Sequence, residues 1–267
     1  MKPNKPTNTI GADPEVFFKK GNEYIPAIGM VGGTKHSPRK LRLGAVQEDN
    51  VMAEFNIPPA TTAGAFSKSI AVMLDALERI AANNGCTLAI VPYAQFDRKY
   101  LEHPQAREMG CEPDYNAWEN TENRRPSYEL LQNIRTASGH IHIGIPSPDK
   151  DPNKRVRLVS VCDLCLGLPS LFVDRDSTRR KFYGQAGAYR PKPYGVEYRV
   201  LSNFWIKKEE HRKWAFTSAM YAANNWEQIY SRISPSTRVL IQKAIDTHDL
   251  NLAAKILPAF GIAPLEE

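Results

Sequence analysis

The sequence predicts an α+β fold: a largely antiparallel sheet with one polar face and helices packed on the other side. Three observations carry this prediction. Apolar residues alternate with period two through much of residues 10–57 and again near residues 140 and 197, whereas helical spacing governs 61–84, 154–173 and 209–257. The strands and helices do not follow a regular βαβ order, which fits antiparallel pairing. Four strand segments also repeat one design, placing two demanding side chains two positions apart: Asp13-Pro14-Glu15, Glu54-Phe55-Asn56, His140-Ile141-His142 and Glu197-Tyr198-Arg199. Each pair then projects from one face of its strand while its neighbours enter the core.

Taken in order, Ile10 to Lys19 and Glu23 to Ile28 read as a hairpin around Gly21-Asn22. Gly32 to Pro38 is a loop, and Ala45 to Ile57 a single strand ending at Pro58-Pro59. That strand carries Glu48, Asn50, Met52, Glu54 and Asn56 on its polar face. Val51, Ala53, Phe55 and Ile57 take the core face, and the same count turns Asp49 away from the polar residues. Thr61 to Asn84 is an amphipathic helix with Ile70, Met73, Leu74, Leu77 and Ile80 on one side, and Gly85 stops it. Leu88 to Val91 is a short buried strand. Ala94 to Ser127 has little periodicity, and a connection of that length is read as shaping substrate choice. Ile134 to Ile145 is a strand, Lys154 to Val173 a helix, Asp174 to Pro193 a basic loop, and Tyr194 to Ser202 a strand. Glu209 to Arg232, Pro235 to Thr247 and Leu250 to Leu257 form a helical tail. No linker or repeat interrupts the chain, so residues 1–267 read as one domain, with a catalytic core of about 9–206 and a helical C-terminal portion 207–267.

The formal charge of +6 favours an anionic partner, and its scattered distribution points to a small ligand rather than nucleic acid. No apolar run reaches membrane-spanning length and the first residues lack a signal segment, which predicts a cytoplasmic protein with reduced cysteines and no membrane partner. Cys162 and Cys165 have CxxC spacing, but their apolar helical surroundings read as core.

If the polar strand faces coincide, Asp13, Glu15, Glu48, Glu54 and Glu197 crowd one surface with His140. Carboxylates so close take up protons unless a cation compensates. Oxygen donors with one or two imidazoles suit Mg²⁺ or Mn²⁺. Arg179, Arg180, Arg190 and Arg199 nearby are suited to nucleotide phosphates. Two other readings compete: a zinc hydrolase using the HxH pair, and a non-catalytic nucleotide-binding protein.

The segments Gly11 to Glu15, Glu48 to Pro58, Ser138 to Gly144 and Tyr183 to Trp205 resemble the phage-type carboxylate–amine ligases, amidoligases related to glutamate–cysteine ligases. The resemblance implies a glutamine synthetase-like fold and an ATP- and Mg²⁺-dependent ligase. Such an enzyme joins a small-molecule or peptide carboxylate to an amine through an acyl phosphate. It implies Asp13, Glu15, Glu48, Glu54, His140 and Glu197 as metal ligands, with His142 in support. Arg199, Glu197 and Arg190 take catalytic roles. Arg179, Arg180, Arg190, Lys192 and Lys35 are the phosphate-binding candidates. The resemblance also allows a homo-oligomer, because some relatives complete their sites across subunits, and a phage-encoded chain would act in the host cytoplasm.

Overall fold

The computed structural model describes residues 7–108, 113–123, 131–146, 152–174 and 177–267. Its first strands are β1 (Thr9–Ala12), β2 (Glu15–Lys20) and β3 (Glu23–Ile25). The expected strand from Ile10 is thus two strands. Pro14 has no N–H for a ladder, and Glu15 N is drawn off to Ser138 O at 2.9 Å. The turn to β3 uses Gly21 with φ of 57°, a conformation glycine adopts without cost.

The expected single strand Ala45 to Ile57 is a hairpin of β5 (Gly44–Asp49) and β6 (Met52–Ala60), with β4 (Arg39–Leu41) on the outer edge of β5. Its turn is held from the side. Asn50, at φ 55°, donates through Nδ2 to Gln105 O, Ala106 O and Glu108 O and accepts from Arg135 Nε. Asparagine is among the few residues that tolerate this backbone conformation.

The helix α1 (Ala63–Asn83) starts where the Thr62 side chain accepts from Ala65 N, and Gly85 at φ 67° follows its end. It buries Phe66, Ile70, Met73, Leu74 and Leu77 against β6. β7 (Thr87–Ala89) then pairs with β2. β8 (Tyr93–Gln95) pairs with β11 (Ile134–Thr136) in a separate two-stranded sheet, over a second apolar cluster around Phe17, Phe96 and Leu101. Between them β9 (Tyr115–Asn116) and β10 (Thr121–Glu122) form the far edge of the main sheet. Within the irregular segment, residues 109–112 and 124–127 lie outside the described residues.

The expected strand Ile134 to Ile145 is also divided, because β12 (Ile141–Gly144) leaves β11 to join the main sheet. The helix α2 (Pro152–Cys162) runs on through a π turn at Asp163–Gly167. β13 (Ala188–Lys192) lies inside the expected basic loop and pairs with β14 (Gly195–Tyr198). The tail is α3 (Glu209–Tyr230), α4 (Pro235–Asp246) and α5 (Leu250–Ile256).

The twelve-stranded sheet runs β10-β9-β13-β14-β12-β1-β6-β2-β3, with β4, β5 and β7 off that path, and its strand pairings are antiparallel. The expected α+β architecture is therefore present. Helix α3 packs on α1, α2 and β12, so Ile141, Ile143, Val196 and Tyr198 are sealed from water on that side. Cys162 and Cys165 are free and buried there. Trp205 stacks on Phe66 with ring centroids 5.7 Å apart and donates Nε1 to Gly139 O at 3.1 Å. Gly139 permits that approach, since a Cβ there would lie 2.4 Å from Trp205 Nε1 and 2.7 Å from Ser202 O. No helix among the described residues is long and apolar enough to cross a membrane.

Candidate active site

Register lines up the polar residues. Gly11 pairs with His142, His142 with Glu197 and Glu197 with Arg190, which makes one row across β1, β12, β14 and β13. On the other side of β1, Glu15 of β2 pairs with Glu54 of β6, and Gln47 of β5 also pairs with Glu54. Residues paired directly across strands share a face, so the period-two pattern becomes a continuous polar surface.

Two groups of three donors occupy that surface, Asp13 with His142 and Glu197, and Glu15 with Asp49 and Glu54. Within each group the ligand atoms lie within 4.8 Å of one another. In the first group His142 Nε2 is 2.9 Å from Asp13 Oδ2. His140 approaches from the other side, its Nδ1 3.3 Å from Asp13 Oδ1 and 3.5 Å from Glu197 Oε1. Burial opposes ionisation of Asp13, but His142 and His140 outweigh it and hold this carboxyl well below the usual range. Burial and then Arg199 push His140 down to about 3, so it is neutral, whereas Asp13 raises His142 against the effect of burial.

The second group has less compensation. Burial and then Asp49 push Glu15 up to about 8. Burial with Asp13, Asp49 and Glu15 raises Glu54, and burial raises Asp49 although Lys35 pulls it down. Two carboxylates 4.8 Å apart repel by about 3.5 kcal/mol at an effective dielectric of about 20, so the group must gain protons or a cation.

The first group, with His140, carries a separate sign of a cation. Asp13 Oδ1, Glu197 Oε2, His140 Nε2 and His142 Nε2 are buried and make no hydrogen bond. Inward-facing carboxylate and imidazole atoms left without hydrogen bonds suit a cation. Six donors, five of them carboxylates, fit Mg²⁺ or Mn²⁺ better than zinc, which takes nitrogen and sulfur.

Cations border the first group. Arg199 Nη1 bonds Glu197 Oε1 and its Nη2 bonds the Tyr183 hydroxyl. Arg190 Nη1 is 3.4 Å from Glu197 Oε1, and Lys192 Nζ comes within 2.8 Å of Oε2 without hydrogen-bond alignment. Three positive charges thus surround the Glu197 carboxylate. Lys35 is exposed, close enough for its charge to act on Asp49.

Arg179 and Arg180 are placed differently from the expected phosphate contacts. Arg179 is 1% exposed; it donates to Val200 O through Nη1, and to Ser138 Oγ and Arg199 O through Nη2. Arg180 is equally enclosed and donates to Gly184 O. Both are buried rather than carried on an open loop.

A cavity of about 420 Å³ opens beside the first group, lined by Gly11, Ala12, Asp13, Glu54, His142 and Tyr194 among others. The small residues of β1 give it depth, and no lysine or arginine among the described residues lines it.

Comparison with known proteins identifies the family. The family model for phage phiEco32-like COOH.NH2 ligase-type 2 matches residues 120–256, just over half of the chain. The chain belongs to this family. The match takes in His140, His142, Glu197 and Arg199, while Asp13, Glu15, Asp49 and Glu54 lie upstream of it. No curated protein matches the sequence. Among solved structures, a novel glutamine synthase homolog aligns at TM-score 0.47 and 12% identity, over 95% of this chain and 65% of that one. GmaS without ligand aligns at 0.44 and 11%, over 95% and 63%. GmaS in complex with ADP aligns at 0.44 and 12%, over 95% and 64%. The chain thus spans just under two-thirds of the length of these structures.

The hairpin corrects one assignment in this ligase-family chain. Glu48 pairs with Ala53 and faces away from the donors, where its Oε1 accepts from Gly29 N at 2.9 Å and Gly32 N at 3.3 Å. Asp49 takes its place beside Glu54. A turn at Asn50-Val51 reverses the strand, so counting by twos through it assigns every β5 residue to the wrong face. The dipeptide Asp49-Asn50 is itself a turn signal. Three further residues sequence reasoning missed are Tyr183, Tyr194 and Asp114, whose Oδ2 is 4.0 Å from Arg199 Nε. Tyr183 and Tyr194 lie within the segment Tyr183 to Trp205, whose pattern gives neither a role, and no motif marks Asp114.

Proposed function

We propose that the chain is an ATP- and Mg²⁺-dependent carboxylate–amine ligase. The observation that carries this reading is the pair of three-donor groups on one sheet face, bordered by Arg190, Lys192 and Arg199. Asp13, His142 and Glu197 would hold one divalent cation, with His140 against them, and Glu15, Asp49 and Glu54 a second. Such cations would offset the negative charge of phosphate oxygens during transfer. Arg190, Lys192 and Arg199 would set positive charge beside those oxygens.

In this reading a carboxylate oxygen of the substrate attacks the γ-phosphorus of ATP and ADP leaves. The amine lone pair then attacks the acyl carbon of the acyl phosphate. Phosphate departs, the nitrogen loses a proton to solvent, and the amide remains. Arg199, steadied by Glu197 and the Tyr183 hydroxyl, faces the transferring phosphoryl oxygens. Arg190 and Lys192 hold the anionic groups on either side, and Lys35 reaches phosphate from the surface. The chain works as one domain, with α3 closing the apolar side of a core of about 9–206. The substrates are small-molecule or peptide carboxylates and amines.

Incubating the full chain with ATP, Mg²⁺, a panel of amino-acid and peptide carboxylates, and hydroxylamine as a general amine tests the reaction. Release of ADP with formation of a hydroxamate supports it. No ADP release across the panel, together with no binding of Mg²⁺–ATP, overturns it.

A further inference from the structure

Tyr194 lies at the β13–β14 turn, its backbone carbonyl accepting from Ile145 N at 2.9 Å. Its hydroxyl contacts His142 Nδ1, and the two rings are stacked with centroids 5.9 Å apart and planes at 29°. The other ring nitrogen, Nε2, is aimed at Asp13 Oδ2, 2.9 Å away, yet makes no hydrogen bond. Tyr194 remains 43% exposed and walls the cavity of about 420 Å³.

A neutral imidazole, the form that ligates, carries one N–H. If the phenol donates to Nδ1, that N–H must sit on Nε2, where it blocks ligation. If Nδ1–H donates to the phenol oxygen, Nε2 presents a lone pair toward Asp13 and Glu197. We propose that Tyr194 is a positioning residue that acts through His142: its oxygen accepts the Nδ1–H and leaves Nε2 bare for a cation. The phenol proton is then free to donate into the cavity, so a cavity ligand and the cation are linked through one hydroxyl. This inference rests on the metal-dependent reading above.

The test is a Mn²⁺ titration of the full chain followed by electron paramagnetic resonance, with electron spin-echo modulation reporting imidazole nitrogen. Wild type, Tyr194→Phe and His142→Ala are compared. Phenylalanine preserves the ring stack and removes only the oxygen. Wild type should show imidazole modulation that His142→Ala abolishes. Tyr194→Phe should bind Mn²⁺ about tenfold more weakly, with diminished modulation and an unchanged metal-free unfolding midpoint. Binding and modulation equal to wild type in Tyr194→Phe would overturn the inference, as would weaker binding accompanied by a lower metal-free midpoint. Mn²⁺ binding in wild type without imidazole modulation overturns this inference alone. No Mn²⁺ binding in wild type overturns the metal-dependent reading with it.

Discussion

Asp49 and Glu54 share one face of the β5–β6 hairpin because the chain reverses between them at Asn50-Val51, whereas Glu48, one residue earlier, faces the opposite way. We predict that Asp49→Asn weakens Mn²⁺ binding at least tenfold and lowers any ligase turnover in step, as loss of a ligand should. Glu48→Gln should leave Mn²⁺ affinity within about twofold of wild type and cost less than about 1 kcal/mol of stability, because the glutamine oxygen still accepts from Gly29 N and Gly32 N. Metal titrations with urea unfolding of both variants check this. Equal loss of metal binding in the two would contradict the hairpin assignment.

Above about pH 6.5, where the neutral His140 no longer favours the fold with rising pH, metal-free stability should fall as pH rises. Glu15 sits near 8 in the fold, and Asp49, Glu54 and Glu197 are also raised, mainly by burial. Each binds its proton more tightly folded than unfolded, so their contribution is fully present below the unfolded carboxyl value of about 4.5 and is lost as pH climbs through the folded values toward 8. A divalent cation replaces those protons, so Mg²⁺ should raise the unfolding midpoint more at about pH 8.5 than at about pH 5.5. Scanning calorimetry with and without Mg²⁺ decides it; a Mg²⁺ shift that does not depend on pH would count against the prediction.

Gly139→Ala should destabilise by about 2–4 kcal/mol. The new methyl meets a ring nitrogen and a backbone carbonyl rather than the flexible end of a side chain, and displacing Trp205 breaks its bond to Gly139 O. Chemical denaturation measures this directly. A change below about 0.5 kcal/mol would show that Trp205 yields freely.

Asp163→Ala should cost more than about 3 kcal/mol. The carboxylate, in the π turn, accepts from Trp118 Nε1 at 2.6 Å, Gly187 N at 2.7 Å and Tyr198 hydroxyl at 2.7 Å. Truncation leaves three buried donors unpaired. Gly187 leads into β13, so the variant should also raise KM for the anionic substrate by displacing Arg190. Asp163→Asn, which retains an acceptor oxygen, should fall between the two. Unfolding curves and steady-state kinetics test both effects.

Much of this architecture is legible in sequence where the cause is local. The helical spacing of Phe66, Ile70, Met73 and Leu77, between Thr62 and Gly85, defines α1 without reference to the rest of the chain. The pairs His140/His142 and Glu197/Arg199 each keep to one face because β12 and β14 run unbroken through Ile141 to Ile143 and Val196 to Tyr198, although His142, expected in support, stands in the three-donor group where His140 was expected. What fails to read is set by distant partners. The bend at Pro14 is held by Ser138, the turn at Asn50 by Gln105, Ala106, Glu108 and Arg135, and β13 looks like a loop because Pro191 and Gly187 mask its pairing with β14. Arg179 and Arg180 resemble surface charges until the carbonyls they serve are known.

Asp13 and Glu15 flank Pro14 and are sent to different donor groups. The two groups are therefore joined by two covalent steps of one backbone, whose Cα atoms span no more than about 7.2 Å. That link acts as a ruler: it needs no packing to keep its length, and heating or loosening of the core cannot lengthen it. Exchange of aspartate for glutamate at either end only changes the reach of an arm. Inserting a single residue would turn one acid to the opposite face, so this stretch can drift in composition while its residue count stays fixed.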